Sequence, residues 1–250
     1  MAGTDHTEYI GDVADFIKGA DKSLNEAYIV RQIIRTLRDF CRETWIWREV
    51  LPKISVVDGT DSYTLAPGTD NSDVLPEVYM VDWVKYKEDG FDDDQFAFLH
   101  AWNLETEEVA TSTGINAGFV ETEADAPQIF YIDPDDSLII KPTPNENAAG
   151  TENMQVKCIL APALTSTTGP TWVYRDFLET IAKGVAARIT KQSAYKWYDP
   201  RISKMYHDDY MNKRNTEARF QRWGGKNRTQ MHVRVNKAFS GGSSSRNWIF

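Results

Sequence analysis

The apolar residues of this 250-residue chain repeat with a helical period near both ends and with a period of two through the middle. No single segment satisfies both periods, because a helix and a strand place successive side chains on different faces. The ends are therefore read as helical and the middle as sheet. An amphipathic helix must also bury its apolar stripe against something. In this chain the best partners for one helical end are the helices of the other.

The C-terminal half carries the clearest start signal. Asp199 can cap free N–H groups, and Pro200 suits the first helical position. Ile202, Tyr206, Tyr210 and Lys213 follow at helical spacing, and Gly224-Gly225 supplies the stop. The helix before it is read over 171–192, with Thr171 as cap and Phe177, Leu178, Ile181, Ala182, Val185 and Ile189 inward. Its small residues, Ala182, Gly184, Ala186 and Ala187, permit close helix approach.

At the other end, Ile10, Val13, Ala14 and Ile17 give one helical face over 7–18. Ser23 with Glu26 forms a capping-box pattern that opens a helix over 24–44. Leu24, Tyr28, Ile34, Leu37 and Cys41 are its expected inner side. Arg31, Arg35, Arg38 and Arg42 recur every three or four residues and make one basic stripe. Three readings fit the stripe: a solvated face, a contact with an acidic neighbouring subunit, or a contact with DNA phosphate.

Between these ends, 53–57 and 62–65 read as a hairpin around Asp58-Gly59, and 76–86 as a third strand. Residues 91–126 mix short strands, a short helical turn and loop. The best hairpin pairs 127–132 with 137–142 around Asp133-Pro134, and 154–160 is a last strand. The fold class is thus α+β. A helical bundle is expected from 1–47 and 161–224, with an antiparallel acidic β domain inserted at 48–160. Residues 225–250 are expected to form an extended C-terminal arm. In it Met231, Val233 and Val235 share one side of a strand, Ser240 to Ser245 form a linker, and Trp248, Ile249 and Phe250 make an apolar hook.

Charge divides along the same lines. Asp58 to Asp136 holds about twenty acidic residues against two basic ones, Lys85 and Lys87. Ile181 to Phe250 holds about fifteen basic residues against four acidic ones. Such a polar molecule suits association in a defined direction. No run of about 18 apolar residues exists to span a membrane, and Met1 to His6 lacks a secretory pattern. Cys41 and Cys158 have no CxxC partner and read as reduced core residues.

The chain offers no enzyme signature. His6, His100, His207 and His232 are scattered, and there is no HExxH, P-loop, GxSxG or GxGxxG. His207, Asp208 and Asp209 are adjacent helical positions that point apart, so no metal is expected there. Asp92-Asp93-Asp94 lacks the glycine and distal glutamate of a calcium loop. No catalytic residue, metal ligand or cofactor site is assigned. Two carboxylates acting on a glycan remain an alternative by number alone, and DNA binding by the basic half is another.

The order helix, helix, acidic sheet, helix, helix, extended tail resembles the head-to-tail adaptors of tailed bacteriophages. That group includes tail tubular protein A and the head-completion adaptors of podovirus-like phages. The resemblance rests on Pro127 to Pro144, on the helix from Phe177 to Ile189, and on Lys196-Trp-Tyr-Asp-Pro200 followed by Tyr206 and Tyr210. It spans residues 24–222. It implies a non-enzymatic virion protein at the head–tail neck, in a ring typically of twelve copies. Its partners would be the portal protein above and a tail or nozzle protein below, with double-stranded DNA passing through the lumen unbound. A tail-tube or nozzle subunit is the nearest alternative. In that setting Met231, Val233, Val235, Trp248, Ile249 and Phe250 would grip the portal. Arg31, Arg35, Arg38 and Arg42 would meet neighbouring subunits, and the lumen would be acidic or neutral.

Overall fold

The computed structural model describes residues 3–17, 25–67, 76–88, 90–101, 126–133, 137–193 and 197–222. Four helices carry the two ends: α1 (Ile10–Asp15), α2 (Glu26–Thr44), α3 (Thr171–Thr190) and α4 (Pro200–Arg222). A 3-10 turn, His6–Tyr9, precedes α1. Val13 and Ile17 of the expected first face are buried.

The capping of α2 differs from expectation. Asn25, not Ser23, stands at its N-cap, and the Asn25 side chain accepts from Ala27 N at 2.9 Å. Ser23 and Leu24 lie outside the described residues. Asn is as good a cap as Ser, so the composition of 21–26 did not decide between them. Ile34, Leu37 and Cys41 of the expected inner side are buried, together with Ile29, Ile33, Phe40 and Thr44, and Tyr28 is only half-buried. The helix ends on Trp45, whose φ of 58° is left-handed and whose N–H donates to Cys41 O at 3.0 Å.

Thr171 does not cap α3. It is the first helical residue, behind Pro170, and its Oγ1 meets Thr4 Oγ1 at 2.7 Å. Phe177 breaks the helical geometry of α3 with φ −132° and ψ 16°. The small residues do admit close neighbours. A Cβ added at Gly184 would lie 2.7 Å from Thr36 Cγ2 and 2.7 Å from Tyr210 Cδ2, so α2, α3 and α4 converge on that glycine. The start of α4 is as read: Asp199 Oδ1 accepts from Arg201 N and Ile202 N, both at 3.0 Å.

The strands are β1 (Gly3–Asp5), β2 (Arg48–Val50), β3 (Ile54–Val56), β4 (Ser62–Thr64), β5 (Pro76–Tyr86) and β6 (Ala97–Phe98), then β7 (His100–Ala101), β8 (Ile129–Ile132), β9 (Ser137–Lys141), β10 (Gly150–Pro162) and β11 (Thr168–Pro170). The strand read over 76–86 is β5, and the hairpin read around Asp133 is β8 against β9. The first expected hairpin does not form. β3 pairs with β10, whereas β4 pairs with β9 in a different sheet. The turn between them serves as a crossing between sheets. Tyr63 Oη fastens it, accepting from Val57 N at 3.1 Å and donating to Thr60 O at 2.8 Å.

β10 is longer than read and is the spine of its sheet. β5 lies antiparallel along one edge, and β2 and β3 share the other. The second sheet has the order β4-β9-β8-β7, with β7 parallel to β8. A two-stranded ribbon, β1 with β11, ties the first described residues to the start of α3. One buried cluster includes Ile33, Leu37 and Phe40 of α2, Val185 and Ile189 of α3, and Val84, Val156, Cys158 and Leu160 of the sheet. Both cysteines are free and buried, and burial pushes each thiol up to about 12.

Candidate functional site

The arginine stripe splits in two. Arg31 and Arg35 are exposed, and neither makes an ion pair among the described residues. Arg38 and Arg42, one and two turns on, turn onto β5. Arg38 Nη2 lies 2.6 Å from Glu77 Oε2, and its Nη1 donates to Pro162 O at 3.4 Å. The Arg42 guanidinium sits 4.2 Å over the Tyr79 ring. Long basic side chains cover apolar surface with their stems while their heads stay paired. This half of the stripe fastens helix to sheet, and the other half is left to solvent.

A second basic surface was not singled out from sequence. The C-terminal part of α3 and the first turns of α4 enclose a cleft of about 700 Å³. Its rim carries Arg188, Lys191, Lys204, His207 and Arg214, with Asp39 of α2 as the one carboxylate among the described residues. Arg188 pairs with Asp39. Lys191 and Lys204 make no ion pair among the described residues. Arg214 stands 6.0 Å from the Tyr210 ring, and its Nε is buried without a hydrogen-bond partner among them. Burial raises the Tyr210 hydroxyl above its ordinary value, so the floor of the cleft carries no negative charge of its own. Ser203 Oγ donates to Ala187 O at 2.8 Å and holds the two helices at this spacing. The available signal in the sequence was the cationic excess after Ile181, without the register that gathers it.

The acidic residues of the sheet region are spread out. Asp92 caps a 3-10 turn over Asp93–Gln95, reciprocated by Gln95. Asp93 is held by Lys53 at 2.6 Å and Lys87 at 3.0 Å, hydrogen bonds that keep its carboxyl below the usual range. Asp209 pairs with Lys183 at 3.1 Å. Among the described residues no three His, Cys, Asp or Glu side chains gather as a metal site. Among them, too, no helix is long and apolar enough to cross a membrane.

His6 has a definite place that its isolation in sequence did not suggest. It is fully buried, and its Nδ1 shares a 2.5 Å hydrogen bond with Tyr174 Oη. Tyr9 stacks on the same ring at 3.7 Å between centroids. Burial lowers the His6 pKa to about 4, so the ring is neutral at pH 7. Met231, Val233, Val235, Trp248, Ile249 and Phe250 lie outside the described residues.

The family model described as SU10 adaptor protein matches residues 4–234. The match takes in both helical ends and the sheets between them, together with Met231 and Val233, and stops one residue short of Val235. No curated protein matches the chain.

Proposed function

The chain belongs to the SU10 adaptor protein family, a family of phage head-to-tail adaptors, and from that premise we propose that it is a structural component of the virion neck. Copies form a ring beneath the portal protein, extend the DNA channel and offer the tail a platform. The observation that carries this reading is the single unbroken family match across helices and sheets alike. The separation of charge within the chain supports it, since a ring built from one kind of subunit joins two different faces of each copy.

The parts have distinct tasks in this reading. Residues 225–250 form the arm to the portal, with Met231, Val233, Val235, Trp248, Ile249 and Phe250 as its apolar grips. Arg31 and Arg35, the exposed half of the stripe, face a neighbouring subunit. The lumen is acidic or neutral, because a basic lining would bind phosphates and release counterions, and so retard sliding DNA.

Electron microscopy of the full chain mixed with the portal protein tests the whole reading. The expected particle is a ring coaxial with the portal. A ring located only within the tail would make the protein a tube or nozzle subunit, and no assembly at all would defeat the proposal. Deleting 228–250 is expected to abolish portal binding while rings still form. Undiminished portal binding by that variant would remove the arm from the account.

A further inference from the structure

Resting on the ring reading, we propose that the cleft between α3 and α4 is a carboxylate-binding site, occupied by acidic residues of the next copy of the chain. The occupant comes from the stretch 88–140, which holds fourteen acidic residues and no lysine or arginine.

Among the described residues Asp39 is the one carboxylate of the cleft, and Arg188 already engages it. Lys191, Lys204 and Arg214 are left facing the same cavity without an anionic partner among the described residues. Lys191 and Lys204 are both exposed, so a carboxylate arriving from another copy can reach their ammonium groups. The volume of about 700 Å³ lies in the range of concave sites that enclose a ligand.

The complementary surface is on the same chain. Asp92 and Asp94 are exposed at the 3-10 turn, while Asp93 between them is taken up by Lys53 and Lys87. A closed ring needs a face of one kind meeting a face of another, and complementary charge fixes that direction while like faces repel.

The test uses full-length protein assembled with the portal protein, from a mixture of 15N-labelled and unlabelled copies. A carbodiimide joins lysine amines to carboxylates in direct contact, and mass spectrometry separates heavy–light links from those within a copy. Links from Lys191 or Lys204 to carboxylates between 88 and 136 are expected. Their absence from well-formed rings would overturn this inference and leave the ring reading standing. Failure to form rings on the portal would overturn both. The double variant Lys191→Glu/Lys204→Glu is expected to weaken self-association by roughly tenfold or more at low salt. Copies carrying Asp92→Lys/Asp94→Lys should restore it. Both changes are at exposed or rim positions, so an unchanged circular dichroism spectrum is the control for folding, and the wild-type links stand without them. Unchanged self-association together with lost, salt-sensitive binding of duplex DNA would instead make the cleft a phosphate site and refute the proposal.

Discussion

The sheet region and the helical end treat charge in opposite ways. Around the sheets, acids outnumber bases, and the lysines are the ones consumed: Lys53 and Lys87 by Asp93, Lys141 by Asp61 at 2.5 Å, and Lys157 by Asp82 at 3.7 Å. At the helical end the acids are consumed: Glu179 and Asp209 by Lys183, Glu217 by Lys213 and Asp39 by Arg188. Internal pairing therefore takes up several groups of the minority sign in each region and leaves the majority sign in excess. Exposed and partly exposed pairs of this kind are screened by solvent, so the pattern does little for the fold itself. Cohesion comes from the shared apolar cluster, which takes no account of the charge boundary. Direction of association and stability of the fold are thus written in different sets of residues.

The largest test of that separation is Phe40→Ala. Phe40 is fully buried, 5.1 Å from the Phe177 ring and 6.4 Å from that of Tyr210. Loss of such a ring costs about 3–5 kcal/mol. The expected result in urea is one lowered transition, seen alike by tryptophan fluorescence and far-ultraviolet dichroism. If the helical signal fell first and the sheet signal kept its midpoint, the shared core would not be the source of cohesion.

Acid provides the next test, through a histidine at one end of the molecule. His6 is neutral in the fold, with its pKa lowered to about 4, whereas the unfolded chain takes up a proton near the ordinary value of 6.5. The unfolded state therefore binds more protons between those values, and stability falls as pH drops from about 6.5 to about 4. The loss is about 3 kcal/mol, all of it at the ribbon beside α3. Urea midpoints for wild type and His6→Gln at pH 7.5, 5.5 and 4.5 isolate it from the carboxylates. Parallel curves would mean that His6 does not contribute.

The smallest effect expected is that of Glu77→Gln, which removes the Arg38 pair at the seam between α2 and β5. It should change stability by less than about 1 kcal/mol in a thermal melt. A larger loss would make the seam electrostatic and blur the distinction drawn above.

What could be read beforehand was what neighbours in sequence decide. Asp199 before Pro200, the alternation over 76–86 and the hairpin around Asp133 each depend on adjacent residues, and each was legible. The α+β class followed from the change of period. The missed pairings depend on distant residues. β3 and β4 flank a good turn, yet β10 offers β3 a long edge and β9 offers β4 another, and tertiary pairing outweighed the local turn. β1 is three residues long and pairs more than 160 positions away, so no periodicity could reveal it. The site divides in the same manner. The arginine spacing showed a stripe, but only the position of Glu77 and Tyr79 decided which arginines were already occupied. The basic cleft needed the angle between two helices.

The ribbon that joins β1 to β11 imposes a schedule on the growing chain. His6 leaves the ribosome 168 residues ahead of Tyr174. At about 5–20 residues per second that wait is on the order of ten to thirty seconds. Through it Tyr9 lacks the Tyr174 ring it stacks on, and α1 has α2 beside it but not α3. The segment around His6 thus closes late, and during translation it stays open to capture by a chaperone or a neighbouring nascent chain.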